Sequence, residues 1–163
     1  MLKLFLFAGL AQATVTWFAT CPVYDVVSTF DSDQYLGTWY EIARDKWIGF
    51  ELMAVCTTAK YSSKGDGIIG VTNRAWQWFN FFSYRSVTGI AAVSKPGQLY
   101  VSFNPFKQSP EDVKGKPGNY NILKTDYTNF SVVYNCSSKW FGLAIDEAFW
   151  VLGRQQNLPA STL

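Results

Sequence analysis

The sequence contains no histidine. This absence excludes the Ser–His and Cys–His pairs of many hydrolases and removes the most common protein ligand for transition metals. Charged residues make up only 16% of the chain, and its net charge of +2 is too small to predict a nucleic-acid partner. The chain also lacks a glycine-rich phosphate loop and any metal-ligand spacing. We therefore expect no metal, no cofactor and no catalytic residues.

Aromatic residues are abundant by contrast, at 18% of a chain whose 163 residues suit one domain with a sizeable core. This fraction exceeds what a core of that size usually needs. We therefore expect the excess aromatic side chains to line an internal cavity, to cover part of the surface, or to do both.

The N-terminus has the pattern of an export signal. Lys3 precedes an apolar run over residues 4–11, which ends in an Ala-Gln-Ala cleavage site. The alternatives are a buried strand or a membrane anchor, but the run is shorter than the roughly 20 apolar residues that a spanning helix needs. We predict a signal peptide over residues 1–13 and a secreted, extracellular domain over residues 14–163.

Secretion makes disulfides and glycosylation available to the chain. The three cysteines are an odd number, so at least one cannot pair within the chain. Asn-x-Ser sequons begin at Asn129 and Asn135, and the second lies next to a cysteine. We predict glycosylation at Asn129.

Short segments that alternate between apolar and polar residues recur along the chain, separated by turn residues. This pattern is typical of an all-β protein. Eight antiparallel strands joined by hairpins favour closure, because a closed barrel leaves no strand edge exposed. We therefore predict an eight-stranded antiparallel up-and-down β-barrel, a size that can hold one small ligand. The predicted strands are Gly37–Arg44, Val55–Ser62, Gly67–Trp78, Tyr84–Val93, Gln98–Phe103, Asn119–Thr125, Phe130–Cys136 and Ala148–Arg154.

Three sequence blocks resemble those that mark the lipocalin family. The Gly-Thr-Trp triplet at residues 37–39 resembles the block that opens the first lipocalin strand, and Thr125–Tyr127 resembles the second block. Arg154, which ends the eighth predicted strand, resembles the arginine of the third block. A Cys-Pro pair at Cys21 and the segment 148–154 narrow the resemblance to the apolipoprotein D and bacterial lipocalin branch. The resemblance covers essentially the whole mature chain.

The resemblance implies a structural floor at one end of the barrel. In this family the indole at Trp39 closes that end and the guanidinium at Arg154 lies across it, which is a cation–π contact. Gly37 and Asp126 belong to the same end. These four residues are therefore expected to stabilise the fold rather than to contact ligand.

The resemblance also implies how the cysteines pair. Cys21 is expected to bond to Cys136, and the family partner of Cys56 lies in a tail that follows a C-terminal helix. Residues 158–163 resemble only the beginning of that helix, so we expect most of it to be missing from this chain. The alternative is that Cys56 is a free thiol used for intermolecular pairing or catalysis.

Strand alternation predicts which side chains point into the barrel, because successive residues face opposite sides. Arg154 sets the face of the last strand, and Lys60, which is costly to bury, sets the face of the second and leaves Thr57 and Ala59 inside. On the seventh strand we take Asn135 to face water because it begins a sequon. The alternative is that the inner side chains fill the barrel without a cavity. The predicted ligand-binding residues are Tyr61, Val71, Asn73, Val87, Val101, Phe103, Tyr120, Ile122, Val132, Tyr134, Trp150 and Leu152.

These residues predict a protein that binds and transports a small hydrophobic ligand outside the cell, such as a fatty acid, a lysolipid, a steroid or a retinoid-like molecule. One alternative is a lipid isomerase of the lipocalin type that uses Cys56, and another is a defensive protein that sequesters its ligand. The predicted outward direction of Cys56 and the absence of histidine argue against the enzyme.

Apolar residues gather in the loops at the end of the barrel opposite Trp39. They would either fold inward as a lid or form a patch for a membrane, a lipoprotein surface or a second copy, so we expect a monomer or weak dimer. These residues are Trp47, Phe50, Met53, Trp78, Phe79, Phe81, Phe82, Phe106, Trp140 and Phe141.

Overall fold

The computed structural model describes residues 15–45, 54–77 and 83–157, and within them nine β-strands form one antiparallel sheet. Two short α-helices, α1 (Ser32–Tyr35) and α2 (Pro110–Val113), and a 3-10 turn at Trp140–Gly142 accompany the strands. The strands are β1 (Val15–Trp17), β2 (Gly37–Arg44), β3 (Ala54–Ser63), β4 (Ile68–Gln77), β5 (Ser83–Lys95), β6 (Gln98–Ser102), β7 (Tyr120–Thr125), β8 (Phe130–Lys139) and β9 (Ala144–Gly153).

Strands β2 to β9 form a closed barrel. Each pairs with the next along the chain, and β9 pairs with β8 on one side and with β2 on the other. Gly153 of β9 lies opposite Phe130 of β8 and Tyr40 of β2, so the last strand joins the two ends of the sheet. The predicted eight-stranded antiparallel barrel is confirmed.

Strand β1 is an addition that the sequence pattern did not predict. Its residues Val15 and Trp17 pair with Asp146 and Ala144 of β9, beyond the stretch of β9 that pairs with β2. Strand β9 accordingly begins at Ala144, four residues earlier than predicted. The N-terminal segment therefore extends the same sheet along the last strand.

The floor of the barrel is built around Trp39, which is fully buried. Its indole N–H donates to the backbone oxygen of Tyr35 at 2.9 Å, and the guanidinium carbon of Arg154 lies 3.7 Å from its ring centroid. The Arg154 guanidinium also donates to the backbone oxygens of Gln34, Thr38 and Tyr127. The cation is therefore held over the indole by three separate segments of the chain.

Gly37 begins β2 beside this floor, with a φ of +98° that favours glycine. A Cβ atom there would lie 3.1 Å from a terminal guanidinium nitrogen of Arg154. Glycine at this position therefore leaves room for the cation that covers the indole.

Asp126 organises the turn between β7 and β8 at the same end. Partial burial opposes its ionisation, but backbone N–H groups from Phe130, Asn129 and Thr128 donate to the carboxylate and hold its pKa below the usual range. Asn129 lies exposed in this turn, so its sequon remains a predicted glycosylation site.

The N-terminal segment lies along the outside of β8 and β9. Cys21 forms a disulfide with Cys136 of β8, which is the pairing that the resemblance implies. The Tyr24 ring packs edge-on against Tyr134, with centroids 4.8 Å apart. Cys56 is an exposed free cysteine at an irregularity in β3, consistent with its predicted outward direction.

The predicted signal peptide (residues 1–13) and the predicted start of a C-terminal helix (residues 158–163) lie outside the described residues. Within the residues that the structure describes, no helix is long and apolar enough to cross a membrane, and no group of three or more metal-ligating side chains occurs.

Candidate ligand cavity

A cavity of about 240 Å³ lies inside the barrel above the floor. Its wall is mostly aliphatic and aromatic, with several amides and one carboxylate among the apolar side chains. The described residues that line it are Glu41, Thr57, Ala59, Tyr61, Val71, Asn73, Val101, Phe103, Asn119, Tyr120, Asn135, Trp150 and Leu152.

A chain of four hydroxyl groups lies where the cavity meets the floor. The Tyr61 hydroxyl donates to the Tyr120 hydroxyl at 2.8 Å. The hydroxyl oxygens of Tyr120 and Tyr35 lie 3.1 Å apart, and those of Tyr35 and Ser131 lie 2.9 Å apart. Burial raises the pKa of Tyr35 to about 12 and raises the pKa values of Tyr61 and Tyr120 further. All three tyrosines therefore remain neutral and serve as polar contacts rather than as bases.

Glu41 and Arg44 form an ion pair on the inner side of β2. The Arg44 guanidinium also donates to the backbone oxygen of Ala54 at 2.6 Å and reaches the hydroxyl of Thr57 at 3.5 Å. These bonds hold the Arg44 guanidinium against the barrel wall, where its positive charge balances the negative charge of Glu41.

The three asparagines of the wall differ in how far their amides are satisfied. Asn119 accepts from the backbone N–H of Val101 and donates to its carbonyl, at 2.8 and 3.0 Å. By contrast, the side-chain oxygens of Asn73 and Asn135 are buried without a hydrogen-bond partner. Buried amide oxygens are normally bonded, so these two are unmet acceptors in the cavity wall.

Comparison with known proteins agrees with this architecture. The family model described as a lipocalin-like domain matches residues 30–163. The protein belongs to the lipocalin family.

Two curated relatives place this lipocalin within its family. Apolipoprotein D of Cavia porcellus is 32% identical over 169 residues, which cover all of this chain and 82% of the relative. The outer membrane lipoprotein Blc of Citrobacter freundii is 49% identical over 89 residues, covering 48% of this chain and 50% of that protein. The expected branch of the family is thereby confirmed.

The barrel of this lipocalin is also similar to that of insecticyanin from the tobacco hornworm Manduca sexta. The TM-score is 0.73 at 23% identity, over 91% of this chain and 77% of the other. At that identity the likeness concerns the fold alone.

Most of the predicted ligand-binding residues of this lipocalin lie in one place. The structure brings together on the cavity wall Tyr61, Val71, Asn73, Val101, Phe103, Tyr120, Trp150 and Leu152, with Thr57 and Ala59 beside them. Strands β3 and β9, whose inner faces were assigned from Lys60 and Arg154, therefore present the expected side chains to the cavity.

Strand β8 faces the opposite way from the prediction. Asn135 lines the cavity, whereas Tyr134 points outward, where its hydroxyl donates to the Glu147 carboxylate at 2.8 Å and its ring packs under Tyr24. Val132 shares the outer face of Tyr134 by alternation. The assignment of Val132 and Tyr134 to the cavity was wrong, because the Asn135 sequon does not lie at the surface.

Two other predicted residues lie near the cavity but do not line it. Ile122 is completely buried in the core beneath it, where it pairs with Val133. Val87 lies opposite Asn73 in the sheet and so shares its inner face, but it is 47% exposed and is not among the lining residues. The buried Ile122–Val133 pair therefore belongs to the core beneath the cavity.

The sequence analysis did not name Glu41 or Asn119 as lining residues. Glu41 lies two residues after Trp39, so strand alternation from the floor tryptophan was the signal that would have found it. Asn119 precedes the first residue of β7 and carries no such signal, because its inward direction depends on its bonds to Val101.

Proposed function

We propose that this lipocalin binds a small hydrophobic ligand in its barrel cavity and transports it outside the cell. The observation that carries the proposal is the closed floor at Trp39 with an unfilled, mainly apolar space above it. A site of this kind removes an apolar molecule from water while a few polar groups orient it. The proposed ligand is a fatty acid, a lysolipid, a steroid or a retinoid-like molecule.

Three features support the extracellular setting. The first 13 residues have the pattern of an export signal, and the Asn129 sequon lies in an exposed turn. The Cys21–Cys136 disulfide requires an oxidising compartment to form and persist.

The geometry favours a carrier over an isomerase that uses Cys56. This cysteine is exposed and does not belong to the residues that line the cavity. A thiol in that position does not reach a ligand bound above the floor. The sequence also supplies no histidine to activate it.

Ligand binding is tested by titrating the secreted protein with a panel of fatty acids, lysolipids, steroids and retinoids. Since Trp150 lines the cavity, bound ligand is expected to change tryptophan emission with a Kd in the micromolar range or tighter. Mass spectrometry of an organic extract then identifies the resident molecule. If no member of the panel binds to the intact protein, the carrier proposal is wrong.

We further propose that the open end docks on a lipid surface. The rings of Trp17 and Trp140 stack with centroids 4.7 Å apart, beside Phe18 and Phe141, which are 86% and 108% exposed. Phe18, Trp140 and Phe141 adopt positive φ values, which cost roughly 1–3 kcal/mol each in residues other than glycine. Strained backbone that displays aromatic rings is consistent with burial in a partner, and tryptophan favours the membrane interface.

Of the apolar residues expected at the open end, Phe106, Trp140 and Phe141 are exposed rather than folded inward. These three side chains therefore do not fold inward to cover the cavity. The remaining ones, which lie outside the described residues, are Trp47, Phe50, Met53, Trp78, Phe79, Phe81 and Phe82.

Vesicle co-sedimentation tests the docking surface. Wild type is expected to bind phosphatidylcholine vesicles, and a Phe18→Ser, Phe141→Ser variant is expected to bind roughly tenfold or more weakly, because each ring loses apolar burial. Val93→Ser, at the closed end and 41% exposed, is the control and should bind like wild type. Absence of wild-type binding, or equal binding by the double variant, contradicts the membrane proposal.

A further inference from the structure

We propose that the cavity selects an apolar ligand whose polar end is uncharged and donates a hydrogen bond, in preference to a carboxylate on the same carbon skeleton. This inference rests on the proposed function, since it concerns the ligand that occupies the same cavity. Retinol and long-chain alcohols are members of the preferred class, and retinoic acid and fatty acids are their matched carboxylates.

The charges of the wall disfavour an anion. Among the described residues that line the cavity, none is a lysine or an arginine, and Glu41 is an acid. The nearby cation, Arg44, is bonded to Glu41, Thr57 and the Ala54 carbonyl. A ligand carboxylate would therefore lose its hydration without a cation in the lining to compensate.

The same ion pair gives no advantage to a cationic ligand. Glu41 and Arg44 together carry no net charge, so a protonated amine would also be dehydrated without a matching excess of negative charge. The wall therefore favours a neutral polar group over either ion.

Two unmet acceptors specify the kind of neutral group. The buried side-chain oxygens of Asn73 and Asn135 have no partner among the described residues. Asn73 lies on β4 and Asn135 on β8, which are four strands apart in the ring of eight and so form opposite walls. A ligand hydroxyl in the cavity can satisfy either oxygen after a rotation about the soft terminal torsion of the amide.

One further polar group of the wall, the Tyr61 hydroxyl, is also oriented as an acceptor. Tyr61 donates its proton to Tyr120, so it offers a lone pair to the cavity. Val71 lies two residues nearer the floor than Asn73 on the same face of β4, and Leu152 lies low on β9. The ligand hydroxyl is therefore expected at the level of the asparagines, with the apolar part of the ligand against Val71 and Leu152.

The experiment compares matched pairs by tryptophan quenching near neutral pH: retinol against retinoic acid, and hexadecanol against palmitate. The alcohol of each pair is expected to bind at least tenfold more tightly, which corresponds to about 1.4 kcal/mol. Lowering the pH until the acid is protonated should reduce the difference. If the acid binds as tightly as the alcohol, or if neither member of either pair binds while another ligand of the panel does, the inference is wrong. If no ligand of the panel binds, the proposed function itself fails.

A double variant tests the contribution of the two asparagines to binding separately from that of the other lining residues. Asn73→Leu, Asn135→Leu is expected to bind retinol about tenfold more weakly and to change retinoic acid binding little. Its melting temperature should be equal to or above that of wild type, because two unsatisfied buried oxygens are removed. Thr72→Val, on the outer face of β4, is the control and should bind both ligands like wild type. If the double variant binds retinol as tightly as wild type does, the asparagine amides do not select the ligand and this part of the inference is wrong.

Discussion

Replacing Trp39 by Ala is expected to lower the free energy of unfolding by about 3–5 kcal/mol, the usual cost of removing a large buried aromatic side chain. The indole is fully buried and contacts the Tyr35 ring at a centroid distance of 5.0 Å. Its loss leaves a cavity in the floor and removes the surface on which the Arg154 guanidinium rests. The surrounding structure cannot easily close around the missing side chain, because Trp39 lies where α1, β2 and the end of β9 meet.

Chemical denaturation followed by far-UV circular dichroism measures this effect. Trp140→Ala is the matched control, since Trp140 is 53% exposed and mainly contacts Trp17. We expect the control to cost about 1 kcal/mol or less. If Trp39→Ala unfolds at the same denaturant concentration as wild type, Trp39 is not the closing element of the barrel.

Replacing Trp150 by Ala is expected to weaken ligand binding by more than about tenfold. Trp150 lines the cavity between Leu152, near the floor, and Ala148, nearer the open end, so its ring covers the middle of the wall. Aromatic contacts bury large areas and usually dominate the affinity of such sites. The variant enlarges the cavity, so the ligand loses contact area without losing its polar partners.

Because this variant removes the fluorescent reporter, isothermal titration calorimetry is the appropriate measurement. Trp140→Ala again supplies the control, as Trp140 lies outside the lining and should leave the Kd unchanged. An unchanged Kd for Trp150→Ala would place the ligand elsewhere than against this side chain.

The barrel could be predicted from the sequence because its signals are local. Alternating strands and turn residues repeat eight times, and the blocks around Trp39, Asp126 and Arg154 mark one end. Strand β1 was missed because it has only three residues and its partner on β9 lies far along the chain. Such a short strand is defined by its non-local pairing and not by its own pattern.

The predicted lining residues of a strand lie on the cavity wall where that strand could be oriented by a charge. Lys60 is exposed and Arg154 covers the floor, so alternation from them assigned β3 and β9 to the correct faces. On β8 the orientation depended on the Asn135 sequon, which is a local triplet and carries no information about the fold. Glu41 was missed because a carboxylate is costly to bury, and its partner Arg44 can be identified only from the structure.

The pairing of β9 with β2 has a consequence for biosynthesis. The first barrel strand has one edge without a partner until the ribosome has released residues 144–153, and the Cys21–Cys136 bond likewise joins positions 115 residues apart. A nascent chain can form the hairpins from β2 to β7 early, but the ring is completed only after β9 has been synthesised. We therefore expect slow, late closure that is typical of high contact order, with the unpaired edge of β2 as the surface that chaperones must shield in the meantime.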